Sequence, residues 1–320
     1  MRLIMMGTGP FAVPTFLALI ASPHDVVALV TRPRAAVRSR GRAPRNLMRE
    51  AADGHSIQAI DPSNVNSTEA QQQLEELHSD LLVVCDYGQI LAAETLAVAP
   101  LGGINLHGSL LPKYRGAAPV QWALMNGEEE TGTSVIHMTP RLDAGPCLVQ
   151  RRTKIGPSET AEQLEARLAE SGVEAVEAAI EILSNWDRHS LLGSVQENAQ
   201  ATRAPRLKKS DGEVDWNLSA VRIHNQVRAL KPWPGTYTSW HRSQGLPVRL
   251  ILSEVSALAE EPCDVPAGTV AADLGDELRV GTGHGLLAIS RLQPAGKREM
   301  SVADFLRGHE VTAGSEFGPA

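Results

Sequence analysis

Two polar side chains stand two residues apart at the end of an apolar run in the first third of the chain. Asn105 and His107 lie in the segment INLHGSLLPKYRGAAP, residues 104–119, and a Gly/Pro-containing loop follows them. Residues two apart in an extended segment point to the same side, so the amide and the imidazole share one face. An amide N–H can donate to an oxyanion, and an imidazole can move a proton near neutral pH.

A third group is needed to orient the imidazole or to balance its charge, and Asp143 in RLDAGP is the candidate. It follows the strand-like segment TSVIHM. An Asn, His and Asp set without a nucleophile suits direct attack by a substrate amine on an activated carbonyl. Two alternatives stay open: His107 as a hydrogen-bonded structural residue, and Ser109 as a nucleophile, although neighbouring residues of a strand face opposite ways.

The elements that must position these residues alternate between strands and helices over the first 150 residues. The segments at 2–7, 26–31, 81–88 and 102–108 are short apolar runs bounded by Gly, Asp or His, which is typical of buried strands. Helical patterns stand between them. This alternation predicts a doubly wound, mostly parallel, Rossmann-like sheet with its active site at the carboxyl ends of the strands.

A second domain is expected after a polar, turn-rich stretch. A long amphipathic helix is predicted over 159–183, and beyond it short apolar segments alternate with Gly turns, which is the pattern of a small, OB-like β-barrel. We therefore expect a catalytic domain over 1–187, a linker over 188–206 and a C-terminal β-barrel domain over 207–320.

Composition narrows the class of protein. The chain has 320 residues, is 42% hydrophobic and 21% charged, and contains no apolar stretch long enough to cross a membrane. Its three widely spaced cysteines form neither a metal-ligand pair nor a disulfide framework, which suits the cytoplasm. The net charge of −7 argues against nucleic acid, yet residues 32–49 carry seven arginines and no acid.

The central segment resembles the formyltransferases that use 10-formyltetrahydrofolate. The resemblance rests on Asn-x-His, the following Ser-Leu-Leu-Pro loop and a downstream Leu-Asp-x-Gly, read here as NLHGSLLP and LDAG. It implies that Asn105 and His107 stabilise the oxyanion, and that Asp143 assists deprotonation of the amine or holds the imidazolium. It implies no metal. The folate-binding residues that it implies are Ser109, Leu110, Leu111 and Pro112, together with Asp86, Tyr87, Gly88, Gln89 and Ile90.

Two further blocks, at 212–238 and 292–308, resemble the branch of that family whose acceptor is initiator methionyl-tRNA. The arginine-rich stretch RPRAAVRSRGRAPR sits where that branch has a basic loop, and Arg40 aligns with the arginine inserted at the acceptor-stem end. The expected reaction is formylation of the methionine α-amino group. The protein is expected to be a monomer. The residues expected to contact tRNA are Arg38, Arg40, Arg42, Arg45, Lys208 and Lys209.

The chain departs from the family pattern at the first turn, GTGPFA, where Thr-Pro-Glu/Asp-Phe is usual, and at Asp86, where alanine is usual. Three other functions fit the sequence less well. A dinucleotide-binding oxidoreductase lacks its third glycine here, since GTGPF is not GxGxxG. A hydrolase or sugar-amine formyltransferase would not need the C-terminal blocks and the arginines. A non-enzymatic tRNA-binding protein would not need Asn105, His107 and Asp143 together.

Overall fold

The computed structural model describes residues 1–33, 45–242 and 244–319, which fold into two compact units. The first unit contains residues 1–119, 130–155 and 163–205. The second contains residues 120–129, 156–162 and those from Arg206 on. Each unit is built around its own seven-stranded sheet.

The first unit is a doubly wound α/β fold. Its nine strands are β1 (Arg2–Gly7), β2 (Asp25–Val30), β3 (Ala59–Ile60), β4 (Leu81–Cys85), β5 (Gly103–His107), β6 (Arg115–Gly116), β7 (Glu130–His137), β8 (Cys147–Lys154) and β9 (Arg203–Ala204). Seven of them form one sheet in the order β3-β2-β1-β4-β5-β7-β8, and β6 pairs with β9. Strands β1 to β5 pair in parallel and β7 and β8 join antiparallel, so the predicted mostly parallel sheet is confirmed.

Six helices stand between or after these strands in chain order. They are α1 (Val13–Ala21), α2 (Leu47–Gly54), α3 (Thr68–Glu75), α4 (Ala93–Leu96), α5 (Pro119–Met125) and α6 (Ala161–Ser184). One of them, α5, falls almost wholly in the second unit. Local capping explains where two of them begin: the side chain of Asn46 accepts from the N–H of Arg49, and that of Ser67 accepts from the N–H of Ala70.

The central strands end at one level, which fixes the edge where the site lies. Cys85 of β4 is in register with Gly7 of β1 on one side and with Leu106 of β5 on the other. The sequence pattern predicts that strand β4 continues to residue 88. It ends at Cys85 because Asp86 has a φ of +47°, a left-handed conformation that leaves the extended path. The residues that follow the three strand ends therefore share one carboxyl edge.

The second unit is a nearly closed antiparallel barrel, as the sequence predicts. Its elements are α7 (Ala220–Ala229), β10 (Thr236–His241), β11 (Val248–Leu258), β12 (Val270–Asp273), β13 (Leu278–Gly281), β14 (Leu286–Pro294), β15 (Met300–Ser301), α8 (Val302–Leu306) and β16 (Glu316–Gly318). The strand order is β12-β13-β14-β11-β10-β16, and a bridge between Thr269 and Glu316 brings the two edges together.

The barrel encloses a continuous apolar core. Trp216, Leu250, Ile289, Phe305 and Phe317 are among its buried members. Within the described parts of both units, no helix combines the length and the apolar character that a membrane crossing needs.

Candidate active site

The two polar residues of the opening motif occupy the carboxyl end of β5. Ile104 and Leu106 are buried in the core, and the alternation of a strand therefore turns Asn105 and His107 to the opposite face. Strand β7 fixes β5 from one side, with His107 opposite Ser134, and β4 fixes it from the other. Both side chains are thus held on an interior strand rather than on a mobile loop.

Asp143 reaches this strand end from the loop between β7 and β8. Its Oδ1 accepts from Nδ2 of Asn105 at 3.4 Å, a long contact, and its Oδ2 accepts from the backbone N–H of Gly116 at 2.8 Å. Its Oδ2 lies 3.8 Å from Nδ1 of His107. The structure therefore brings Asn105, His107 and Asp143 together, although 36 positions separate the last two in sequence.

The imidazole of His107 has a defined hydrogen-bonding direction. Its Nε2 lies 2.8 Å from the backbone carbonyl oxygen of Tyr114. Because a carbonyl oxygen only accepts, Nε2 carries a hydrogen in this contact, and in the neutral ring Nδ1 is left with the lone pair. A proton taken up at Nδ1 faces the carboxylate of Asp143. Both side chains are more than nine-tenths buried, at 6% and 9% exposed, so little water screens them.

Asp143 is held by a second set of contacts that involves its backbone. Its φ is +49°, in the left-handed region that residues other than glycine rarely adopt. The side-chain amide of Gln196 donates to the carbonyl oxygens of Asp143 at 2.8 Å and Gly145 at 2.7 Å. Arg115 in turn donates to Oε1 of Gln196 at 2.7 and 3.1 Å. This chain of hydrogen bonds fixes the loop that carries the carboxylate.

The segment expected to be a linker, residues 188–206, makes these contacts within the first unit. Gln196 lies in it, and its strand β9 pairs in parallel with β6, placing Arg203 beside Arg115 and Ala204 beside Gly116. The hydroxyl of Thr202 accepts from the N–H of Tyr114 at 2.8 Å. The segment thus supports the two backbone groups, the Tyr114 carbonyl and the Gly116 N–H, that contact His107 and Asp143.

The loop after β5 is a tightly bonded turn. The hydroxyl of Ser109 donates to the carbonyl of Lys113 at 2.7 Å, and Ser134 Oγ donates to the Ser109 carbonyl at 2.7 Å. Ser109 and Leu111 are buried, whereas Leu110 and Pro112 are half-buried. The buried and bonded hydroxyl of Ser109 is not placed to act as a nucleophile. Leu110 and Pro112 are the members of this loop that present side-chain surface.

The turn after β4 is held mainly through its backbone. Arg32 donates to the Gly88 carbonyl at 2.5 Å, and Thr8 donates its hydroxyl to the Tyr87 carbonyl at 3.4 Å. Tyr87 is buried, and this burial raises the pKa of its phenol to about 12. The amide of Gln89 bridges the Val65 N–H and the Pro62 carbonyl. Ile90 is exposed.

The structure describes only some of the residues that are expected to contact tRNA. Arg38, Arg40 and Arg42 lie outside the described residues. Arg45 is exposed and forms a two-pronged ion pair with Glu50, at 2.9 and 2.5 Å. Lys208 and Lys209 are exposed in the second unit. Across the described ranges, no three His, Cys, Asp or Glu side chains are arranged to hold a metal ion.

Comparison with known proteins defines the class. Residues 1–180 match the formyl transferase family, and residues 206–310 match the formyl transferase C-terminal domain. The chain belongs to the formyl transferase family.

The relatives that cover the whole chain carry a more specific name. A methionyl-tRNA formyltransferase of Rhodopirellula baltica is 46% identical over 99% of this chain and 96% of its own length. A methionyl-tRNA formyltransferase of Methylococcus capsulatus is 40% identical over 99% of this chain and all of its own length.

Solved structures share the fold at low identity. An N-formyltransferase from Helicobacter canadensis, in complex with folinic acid and dTDP-3-aminofucose, superposes with a TM-score of 0.65 at 16% identity, covering 90% of this chain and 97% of that one. HypX from Aquifex aeolicus, in complex with tetrahydrofolic acid, gives a TM-score of 0.57 at 18% identity and covers 95% of this chain. This chain spans about half the length of HypX (46%).

Proposed function

We propose that this chain transfers a formyl group from 10-formyltetrahydrofolate to the α-amino group of methionine on initiator methionyl-tRNA. The convergence of an amide, an imidazole and a carboxylate at the end of β5 is the observation that carries the proposal. The whole-length similarity to methionyl-tRNA formyltransferases supports the choice of acceptor.

The three side chains divide the work according to their chemistry. The Nδ2 group of Asn105 donates toward the negative charge that develops on the formyl oxygen, and one such donor typically contributes about 3 kcal/mol to a barrier. Nδ1 of His107 has the lone pair that can take up a proton, because Nε2 is engaged with the Tyr114 carbonyl. Asp143 stabilises the imidazolium that results, at 3.8 Å from Nδ1.

The reaction balances without a covalent enzyme intermediate. The amine nitrogen forms a bond to the formyl carbon, and the bond between that carbon and N10 of the folate breaks. The proton lost by the amine passes through the His107 and Asp143 pair or to the leaving nitrogen. The folate co-substrate supplies the activated formyl carbon. The protein therefore has to position the two substrates, polarise the formyl carbonyl and transfer protons.

The folate is proposed to lie along the loops after β4 and β5. Leu110 and Pro112 offer apolar surface to the ring system, and the segment Asp86–Ile90 offers backbone groups. Because Ser109, Leu111 and Tyr87 are buried, we propose that they maintain the shape of the loops. Substitution of Leu110 or Pro112 is expected to affect donor affinity more directly.

Initiator tRNA is the proposed macromolecular partner. Arg38, Arg40 and Arg42 are expected to contact its acceptor end, and the exposed Lys208 and Lys209 its phosphates. The assignment of tRNA binding to residues 207–320, the monomeric state and a cytoplasmic location stay predictions. The last follows from the proposed substrate, since translation takes place in the cytoplasm.

One reaction tests the proposal. The purified protein is incubated with 10-formyltetrahydrofolate and, in parallel, with initiator methionyl-tRNA, elongator methionyl-tRNA, glycinamide ribonucleotide or a dTDP-linked amino sugar. We expect formylmethionine from initiator tRNA at a rate at least tenfold above every other acceptor. Preferred formylation of the ribonucleotide or of the sugar would overturn the proposed acceptor.

A further inference from the structure

Three side chains stand in one row across the antiparallel part of the first sheet. His107 of β5 is opposite Ser134 of β7, and Ser134 is opposite Gln150 of β8. Residues directly opposite each other in neighbouring strands point to the same face of a sheet. The proposed catalytic imidazole therefore shares its face with a hydroxyl and an amide that the mechanism does not use.

The loop after β5 is bonded to this row through the backbone of Leu111. The N–H of Leu111 donates to Oγ of Ser134 at 3.0 Å, and its carbonyl oxygen accepts from Nε2 of Gln150 at 2.8 Å. Because a carbonyl oxygen only accepts, the nitrogen of the Gln150 amide and not its oxygen must face Leu111. Both backbone groups of one loop residue are thus held by side chains of the sheet.

Ser134 and Gln150 also bond to each other. Nε2 of Gln150 lies 3.0 Å from Oγ of Ser134, and that hydroxyl donates to the Ser109 carbonyl at 2.7 Å. A hydroxyl has one hydrogen to donate and two lone pairs, and the contacts of Ser134 use all three. Ser134 is fully buried, so this network restrains the loop away from solvent, and the loss of one bond weakens the others.

The two neighbours of Leu111 are the loop residues proposed to face the folate. Leu110 and Pro112 are half-buried and flank the restrained residue directly. The side chain of Leu110 rests on β7, since a Cβ atom built on Gly132 would lie 2.7 Å from its Cδ2. Gly132 is two residues before Ser134 and shares its face of the strand. The place of this apolar surface therefore depends on how the Leu111 backbone is held.

We propose that Gln150 is a positioning residue for the formyl donor. By holding the Leu111 carbonyl, its amide fixes the surface of Leu110 and Pro112 against which the folate binds. This inference rests on the proposed function. Because the same row of the sheet contains His107, the register of β5, β7 and β8 sets the place of the donor relative to the imidazole.

Two variants of nearly equal size test the amide. Gln150→Leu removes all hydrogen bonding by the side chain, and Gln150→Glu replaces the donating nitrogen with an oxygen that cannot donate when ionised. In both we expect KM for 10-formyltetrahydrofolate to rise about fivefold, the effect of one lost neutral hydrogen bond. KM for initiator methionyl-tRNA and kcat should stay within about twofold. A merely structural loss of folded protein would lower the apparent kcat and leave KM unchanged.

Gln72→Leu is the matched control, because Gln72 is an exposed glutamine on α3 of the same unit. It should leave kcat and both KM values unchanged. Ser134→Ala breaks the same network from the other side and should also raise the donor KM. Because both side chains act on Leu111, the double variant Gln150→Leu with Ser134→Ala should raise it by less than the product of the single effects. Effects that multiply would contradict a shared network.

Binding of tetrahydrofolate alone, measured by isothermal titration calorimetry, gives a readout that needs no acceptor. We expect its Kd to rise about fivefold in Gln150→Leu and not in Gln72→Leu. A wild-type protein that binds tetrahydrofolate but does not formylate methionyl-tRNA overturns the proposed acceptor reaction, and a weakened Kd in Gln150→Leu still supports the inference about the donor.

Other outcomes overturn the role of Gln150 alone. One is an active wild type whose Gln150 variants match Gln72→Leu in donor KM and in the Kd for tetrahydrofolate. A rise confined to the acceptor KM, or a loss confined to kcat, overturns it as well. A raised donor KM in Gln150→Leu with a normal value in Gln150→Glu would exclude hydrogen-bond donation as the cause.

Discussion

The side-chain amide of Gln196 donates a hydrogen bond to the backbone carbonyl oxygen of Asp143, over 2.8 Å, and so ties the proposed catalytic carboxylate to a distant part of the chain. The two residues are 53 positions apart. Asp143 occupies a left-handed backbone conformation that residues other than glycine adopt uncommonly, so its geometry depends on the neighbours that hold it. Gln196 is one of these neighbours.

Replacing Gln196 should lower the rate of formyl transfer without weakening substrate binding. We expect Gln196→Ala to reduce kcat about tenfold, equivalent to ~1.4 kcal/mol of barrier, because the carboxylate is no longer fixed beside His107. Both KM values should stay within about twofold of wild type. Gln200→Ala, an exposed residue of the same segment, is the control, and equal rates for the two variants would rule out this role.

Gly116 is expected to tolerate no side chain. Its φ is +129°, and a Cβ atom would lie 2.4 Å from the carbonyl oxygen of Ala204, which would separate β6 from β9. We expect Gly116→Ala to lose about 1–3 kcal/mol of unfolding free energy, measured by urea denaturation, together with most of the activity.

Gly54→Ala is the matched control for that experiment. A Cβ atom at Gly54 meets nothing within 4 Å, at the end of α2, so its substitution should change the free energy of unfolding by about 1 kcal/mol or less. Equal losses of stability in the two variants would show that the β6 and β9 pairing is not what Gly116 protects.

The sequence alone was sufficient to predict the site side chains whose residue type and spacing indicate a particular chemistry. The spacing of Asn105 and His107, the buried runs on either side of them and the downstream Asp143 predicted a strand end with converging polar groups, and the fold has that arrangement. The barrel was predictable for a similar reason, since short apolar segments separated by Gly turns have few alternatives to an antiparallel meander.

The supporting groups could not be predicted in this way. The Tyr114 carbonyl and the Gly116 N–H are backbone groups that almost every residue type supplies, and Gln196 lies in a polar stretch whose composition predicts a linker. Gly9 and Asp86 each stood out as departures from the family pattern, but only the parallel pairing of β1 with β4 brings the two into contact.

The arginines of residues 32–49 should contribute unequally to RNA binding. Arg45 already pairs with Glu50 through two contacts, whereas Arg40 lies outside the described residues and is expected to read the acceptor end. We predict that Arg40→Ala lowers the preference for initiator over elongator tRNA at least fivefold, and that Arg45→Ala changes it less than twofold. Filter binding across a salt series should show affinity falling steeply with salt, because phosphate contacts release counterions. An unchanged preference in Arg40→Ala would contradict this role and would leave the arginine-rich stretch with a role in solubility only.

Ionisation of the Asp86 carboxyl group should lower the stability of the folded protein as the pH rises. Its folded-state pKa is raised by desolvation, with the charge of Arg32 opposing. An acid with a raised folded pKa contributes stability that is present below its unfolded pKa and is lost as the pH rises through the folded value. Asp86→Asn should therefore gain thermal stability relative to wild type at pH 7 and lose that advantage below about pH 3.8, the ordinary aspartate value. Thermal melts at the two pH values test this, and a gain independent of pH would point to backbone preference instead.

A double-mutant cycle on His107 and Asp143, measured by single-turnover formylation of initiator methionyl-tRNA, tests the central claim most directly. Each single alanine variant should lower the rate constant by at least about 100-fold, the contribution of general acid–base and electrostatic assistance, and His189→Ala should not. Because the two side chains act as one proton-handling unit, the double variant should be no slower than the worse single variant, within about threefold. Rate losses that multiply in the double variant, or a single variant with nearly wild-type turnover, would contradict the account.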